Sequence, residues 1–151
     1  MFCIKRTLAV VVALVLTIPA CAFTFSYGDL FDVKDVKNKN GVLQLPLTRK
    51  KYKNVKVLSK QLYGFLQACT SDCAYEINGA ELNMQQYRAA ASRADMWIAQ
   101  VSVNEEILLT FLVFKNENGF HVKFPEVVQF KSAVFKKNLQ KYIAQFAAEH
   151  V

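Results

Sequence analysis

Apolar and polar residues alternate most regularly in the second half of this chain, and the alternation predicts consecutive β-strands. In residues 97–103 apolar side chains occupy every second position, as in a strand with one buried face. Residues 107–114 are apolar on both faces, which is typical of a central strand. The Asn-Glu-Asn-Gly sequence at 116–119 favours a hairpin turn, and residues 120–124 alternate again. These three segments together predict an antiparallel meander over residues 97–124.

Three other segments carry apolar residues at the three- and four-residue spacing of a helix. Ser59 is a suitable N-cap for a short helix that ends near 69. Residues 80–94 predict a second short helix, and residues 127–150 predict a long C-terminal helix. The apolar faces comprise Leu62, Phe65, Leu66 and Cys69 in the first helix, Met84, Tyr87, Ala91 and Ala94 in the second, and Phe135, Leu139, Tyr142, Ile143 and Phe146 in the third.

The remaining strand signals are shorter. Residues 42–47 alternate in part but contain Pro46, which predicts an edge strand. Residues 52–58 predict a basic strand, and residues 74–77 a brief one before the Asn78-Gly79 turn. Together these elements predict an α+β fold, with an antiparallel β-meander of about three to five strands flanked by two short helices and a long C-terminal helix.

The first 22 residues have the layout of a secretory signal peptide. Lys5 and Arg6 precede an apolar run from Leu8 to Ile18, interrupted only by Thr17. Pro19 and the small residues of 20–22 then end the run. This pattern predicts cleavage after Ala22 and a mature, periplasmic or secreted protein that begins at Phe23.

Two alternatives to cleavage after Ala22 remain open. The uncharged stretch 7–28 approaches the roughly 20 residues that span a bilayer, so a retained anchor has sufficient length. Residues 18–21 resemble a bacterial lipobox, in which Cys21 would be lipidated and become the mature N-terminus. Contact with a membrane is predicted only in these two cases.

Removing residues 1–22 leaves a chain of 129 residues, which is sufficient for one domain spanning 23–151. That domain has 17 basic and 12 acidic residues, a net charge of +5. The positive charge is concentrated in residues 34–60, where Asp35 is the one acidic residue. Such a segment attracts anions, although lysines also protect solvated edge strands from aggregation. The candidate contacts to an anion or partner are Arg49, Lys50, Lys51, Tyr52, Lys53 and Lys56.

Cys69 and Cys73 are the only cysteines of the predicted mature domain. In an oxidising compartment we expect them to form a disulfide that is structural, because a redox-active pair has two residues between its cysteines rather than three. The closed segment is short, so its contribution to stability falls near the low end of about 2–4 kcal/mol. A turn is expected there, since this spacing fits a continuous helix poorly.

Motifs for catalysis, metals and cofactors are absent from the sequence. The two histidines, His121 and His150, have no metal-ligand spacing, and no nucleophile-elbow or phosphate-loop pattern occurs. Asp29, Asp32 and Asp35 would share one side of a helix, where helix-start acids explain them better than a cation site. We interpret Glu105 and Glu106 as solvent-exposed turn residues. No metal site and no cofactor are predicted.

These observations predict a non-enzymatic envelope protein that binds an anionic envelope polymer or an acidic protein surface through segment 34–60. Nucleic acid is disfavoured as the partner, because Tyr52 is a single aromatic residue among the lysines and stacking platforms use several. A small inhibitor or immunity-type protein that occludes another exported protein is the second hypothesis. A carboxylate-dependent hydrolase is the third.

Overall fold

The computed structural model describes residues 21–47 and 55–150, which contain ten strands and two helices. The signal-peptide prediction therefore lies mostly outside the described residues. In chain order the elements are β1 (Phe23–Tyr27), β2 (Phe31–Lys39), β3 (Val42–Gln44), β4 (Val55–Val57), α1 (Lys60–Gln67), β5 (Cys73–Tyr75), β6 (Leu82–Ala89), β7 (Met96–Val103), β8 (Ile107–Asn116), β9 (Gly119–Lys123), β10 (Val128–Phe130) and α2 (Ala133–Glu149).

The strands form two sheets. The first has the order β10-β2-β1-β5, and β3 pairs with β2; all its pairings are antiparallel except that of β1 with β5. The second has the order β4-β8-β7-β6, with β9 also paired to β8, and it is antiparallel throughout. The α+β class is confirmed. The architecture differs from the prediction, because the described strands form two sheets rather than one meander of three to five strands.

One apolar core joins both sheets and both helices. Phe25, Tyr27 and Phe31 from the first sheet and Phe111 from the second are fully buried in it. Helix α1 contributes Leu62 and Leu66, and α2 contributes Phe135, Leu139, Ile143 and Ala147. Two serines begin the helices: Leu62 N–H donates to Ser59 Oγ at 3.0 Å, and Phe135 N–H donates to Ser132 Oγ at 3.1 Å. Each bond satisfies an amide that the helix itself leaves unpaired.

The prediction of a second short helix over 80–94 is wrong, because residues 82–89 form strand β6. Met84 pairs with Val101 and Gln86 with Gln100, so Gln85 is an extra residue in the strand, a β-bulge. The bulge places Met84 and Tyr87 against the core three positions apart. A three-residue spacing of apolar residues is also the spacing expected of a helix, and this is why the sequence predicted one.

A second bulge explains why the aspartates at 29, 32 and 35 do not share a helix face. Phe23 pairs with Val36 and Phe25 with Val33, so Lys34 and Asp35 together face the single residue Thr24. Asp35 adopts the left-handed region, with φ 61°. Asp29 instead lies in the turn after β1, and Asp32 lies on β2.

The C-terminal helix begins later than the predicted position 127. Residues 128–130 form strand β10 on the edge of the first sheet, and Ser132 then caps α2. Pro125 is buried just before this strand, and its ring cannot donate to a sheet hydrogen bond. The apolar residues at 127, 128 and 130 therefore belong to a turn and a strand, although they continue the apolar pattern of the helix.

Candidate anion-binding surface

Three lysines of β2 project from the same side of the first sheet. The inward positions of this strand are occupied by Phe31, Val33 and Val36, which are fully buried. Because side chains alternate across a strand and the bulge resets the alternation, Lys34, Lys37 and Lys39 occupy outward positions. All three are exposed. The alternation of β2 therefore gathers positive charge on the outer face of this sheet.

Strand β3 extends this face. Lys39 lies directly opposite Val42, and Lys37 lies opposite Gln44, so each pair projects to the same side of the ribbon. Val42 is an exposed apolar residue in this position. We call the residues Lys34, Lys37, Lys39, Val42 and Gln44 the lysine face.

The opposite side of the β2–β3 ribbon is fixed to α1. Asn38 Nδ2 donates to Leu66 O at 2.7 Å and to Cys69 O at 3.2 Å. Leu66 is in the last turn of α1 and Cys69 follows its C-cap, so Asn38 binds the C-terminal end of the helix. Gln67 Nε2 donates to Gly41 O at 2.8 Å and holds the turn of the ribbon. The ribbon that carries the lysine face is thus attached to α1 by side-chain hydrogen bonds.

The lysines of this face have no acidic partner among the described residues. The ion pairs in the described part of the chain are Arg93–Asp95, Lys123–Glu126 and Lys131–Asp32. The last of these, at 3.2 Å, engages Asp32, one of the two carboxylates on β2, which also accepts a hydrogen bond from Ser26 Oγ. Lys34, Lys37 and Lys39 therefore keep their charge available to an external anion.

Of the six anion contacts predicted from the sequence, the structure describes only Lys56. Arg49, Lys50, Lys51, Tyr52 and Lys53 lie outside the described residues. Lys56 is exposed on β4, a strand of the second sheet that pairs with β8 alone among the described strands. The structure therefore separates Lys56 from the lysine face. Sequence reasoning included Lys34, Lys37 and Lys39 in the basic segment but not among the contacts. Regular alternation would place Lys34 and Lys37 on opposite sides of the strand, and the bulge at Asp35 brings them to the same side.

The sulfur atoms of Cys69 and Cys73 lie at disulfide-bonding distance, with Cα atoms 6.3 Å apart. The pair spans the turn between α1 and β5, as the spacing predicts. Inside it, Asp72 Oδ1 accepts a hydrogen bond of 2.8 Å from Thr24 N–H of β1. The pair thus connects the end of α1 to the first sheet, near the contact that Asn38 makes with Cys69 O.

A carboxylate that the sequence analysis assigned to a solvated turn is tied into the structure. Glu106 is half-buried, and its two oxygens accept hydrogen bonds of 2.7 Å from the hydroxyls of Tyr27 and Tyr75. Asn104 Nδ2 donates to the Tyr27 hydroxyl at 3.0 Å. Burial and the bond to Glu106 raise the pKa of Tyr27, and the same two causes raise the pKa of Tyr75 to about 12.

This Tyr27–Glu106–Tyr75 cluster joins three parts of the fold. The Glu106 carbonyl also accepts from Leu58 N–H at 2.7 Å, which attaches the segment before α1. Asn104 and Glu105 have φ values of 54° and 56°, as a tight hairpin turn requires. Because both carboxylate oxygens are engaged by hydroxyl donors, the arrangement positions strands rather than presenting a free base.

An open cavity of about 600 Å³ adjoins this cluster and is lined in part by Tyr75, Asp29 and Glu76. Groups of three or more metal-ligating side chains are absent from residues 21–47 and 55–150. His121 and His150 are both exposed. Within the same ranges, no helix has the length and apolar character needed to cross a bilayer.

Comparison with known proteins adds no assignment, since no family model, curated protein or solved structure matches this chain.

Proposed function

We propose that this chain is an exported, non-enzymatic binding protein of the bacterial envelope, periplasmic or secreted, whose lysine face holds an anionic polymer or an acidic protein surface. The observation that carries the proposal is the alignment of Lys34, Lys37 and Lys39 on one exposed side of β2, with no ion-pair partner in the described chain. The lysine-rich segment 49–53 follows β3 in the sequence and adds charge of the same sign.

The binding proposal predicts that a triple variant, Lys34→Gln, Lys37→Gln and Lys39→Gln, binds immobilised polyglutamate about tenfold more weakly. Three exposed ionic contacts of about 0.5 kcal/mol each would produce this loss. Retention of the wild type should also fall as salt rises, because exposed charges are screened over about 8 Å at physiological ionic strength. The urea midpoint should change little, since these side chains are exposed and surface substitutions have small effects on stability.

The matched control removes three lysines elsewhere: Lys115→Gln, Lys137→Gln and Lys141→Gln. These side chains are exposed and lie outside the lysine face. Lys136 is unsuitable for this control, because its Nζ lies 5.1 Å from the ring centroid of Phe124 and 5.8 Å from that of Phe130. If both triple variants lose the same affinity, net charge alone explains the binding and the lysine face has no specific role.

Export predicts that intact-mass analysis of the native protein gives a chain beginning at Phe23. This residue is buried and begins β1, so cleavage after Ala22 would leave the whole of the first sheet. If Cys21 carried a lipid, only Ala22 would separate it from the buried Phe23. Almost no flexible segment would then remain between the membrane and the fold. A mass that includes residues 1–22 would contradict cleavage, and a diacyl mass on Cys21 would establish the lipid-anchored alternative.

A further inference from the structure

A groove of about 370 Å³ runs along the exposed side of α1, near the segment that connects it to β4. Its walls include two exposed apolar residues, Leu58 and Tyr63, which are 41% and 36% exposed. Leu43 N–H donates to the Tyr63 hydroxyl at 3.4 Å, which holds the ring between α1 and β3. The described residues that line the groove are Val57, Leu58, Ser59, Lys60, Tyr63, Gly64 and Gln67.

Two of these residues weaken the helix that carries them. Gly64 lies in the middle of α1, where glycine is less favourable than alanine. No described atom lies within 4 Å of the position that a Cβ would occupy there, so packing within the described chain does not require glycine. Lys60 is the first residue of α1, where the partial positive charge of the helix end disfavours a cation, and no acidic residue stands in the first turn.

Residues that oppose the local preferences of a fold tend to occur at functional sites. Here Gly64 and Lys60 line the same groove, and each would contribute a different interaction with a bound partner. A glycine in a helix permits the close approach of another backbone, and Lys60 is the one charged residue among the described residues of the lining. Leu58 and Tyr63 supply an apolar surface between them. The groove thus combines a positive charge, an apolar wall and a floor at Gly64 that no described side chain covers.

We propose that this groove binds an extended acidic segment of a partner protein. In the complex, an apolar side chain of that segment packs between Leu58 and Tyr63, its backbone passes close to Gly64, and a neighbouring carboxylate faces Lys60. The inference rests on the proposed function and names the acidic protein as the partner. A concave site of this volume suits one or two side chains of a peptide, whereas a lipid surface requires a convex or flat contact.

The test compares two probes, fluorescein-labelled polyglutamate and a labelled glutamate–tyrosine copolymer of the same length. Binding of polyglutamate measures the interaction with the lysine face. The copolymer also carries the aromatic side chains that would pack in the groove. We expect the wild type to bind the copolymer at least tenfold more tightly than polyglutamate. The variants Leu58→Ala and Gly64→Ala should each remove most of that difference and leave polyglutamate binding unchanged.

Gly64→Ala separates a binding role from a structural one. Alanine should raise the urea midpoint, because it favours the helix and meets no described neighbour, and it should nevertheless weaken copolymer binding at least fivefold. Val134→Ala is the control, since Val134 is an exposed apolar residue on α2, outside the groove. A stabilised Gly64→Ala protein with wild-type affinity for the copolymer would overturn the inference.

Each remaining outcome also decides the question. Equal affinity for both probes overturns the groove and leaves the lysine face standing. Copolymer binding that depends on Leu58 and Gly64, with no binding of polyglutamate, supports the groove and refutes the lysine face. Absence of binding to both probes refutes both. If the groove variants weaken binding to phosphatidylglycerol vesicles but not to the copolymer, the groove binds a membrane and the peptide proposal is wrong.

Discussion

Replacing Phe31 with alanine is expected to lower the free energy of unfolding by about 3–5 kcal/mol, the range for removing a buried phenylalanine. Phe31 is fully buried, and its ring centroid lies 5.3 Å from that of Tyr27, 5.9 Å from that of Phe130 and 6.1 Å from that of Phe135. These rings belong to β1, β10 and α2. Urea unfolding followed by circular dichroism measures the loss.

Val134→Ala is the matched control for this substitution. Val134 is 70% exposed on α2, one position before Phe135, and its truncation should change the free energy of unfolding by less than about 0.5 kcal/mol. Similar losses for the two variants would mean that Phe31 does not pack at the junction of the first sheet and α2.

Glu106→Ala is expected to lower the free energy of unfolding by about 2–3 kcal/mol, because it removes the carboxylate that accepts hydrogen bonds from the hydroxyls of Tyr27 and Tyr75. Glu105→Ala is the control, since Glu105 is an exposed carboxylate at the adjacent position of the same turn. Equal effects of the two substitutions in urea unfolding would show that the turn, and not the carboxylate, stabilises this region.

The same cluster predicts a loss of stability at high pH. The pKa of Tyr27 is raised in the folded protein and that of Tyr75 is raised to about 12, while an unfolded tyrosine titrates near 10. Above pH 10 the unfolded chain therefore releases these protons first, and stability falls as pH rises from about 10 toward 12. Below pH 10 the contribution is fully present. In Glu106→Ala, ultraviolet titration should show the Tyr75 pKa closer to its ordinary value.

The strands with regular alternation were predictable from the sequence, and those with bulges were not. Residues 97–103 alternate and residues 107–114 are apolar on both faces, as their positions in the second sheet require. Strand β6 has an extra residue at Gln85, which brings two core residues to a three-residue spacing. A bulge is stabilised by pairing with a distant strand, so the local sequence carries a helical pattern where the tertiary structure imposes a strand.

The candidate site was predictable in its charge but not in its geometry. The density of lysines between 34 and 60 is visible in the sequence, whereas the assignment of Lys34, Lys37 and Lys39 to one face depends on the bulge at Asp35. Glu106 was misassigned for a similar reason. Its partners Tyr27 and Tyr75 are 79 and 31 positions away along the chain, and a turn sequence does not indicate what folds against it.

The lysine face is tested most directly by nuclear magnetic resonance of the ¹⁵N-labelled protein titrated with polyglutamate. The proposal predicts that amide shift changes concentrate on Lys34, Lys37 and Lys39 of β2 and on β3, and that they disappear as salt is raised. The amides of Lys137 and Lys141 on α2 should stay unchanged. Shift changes spread evenly over the lysines of the described chain, or concentrated on α2, would contradict the account.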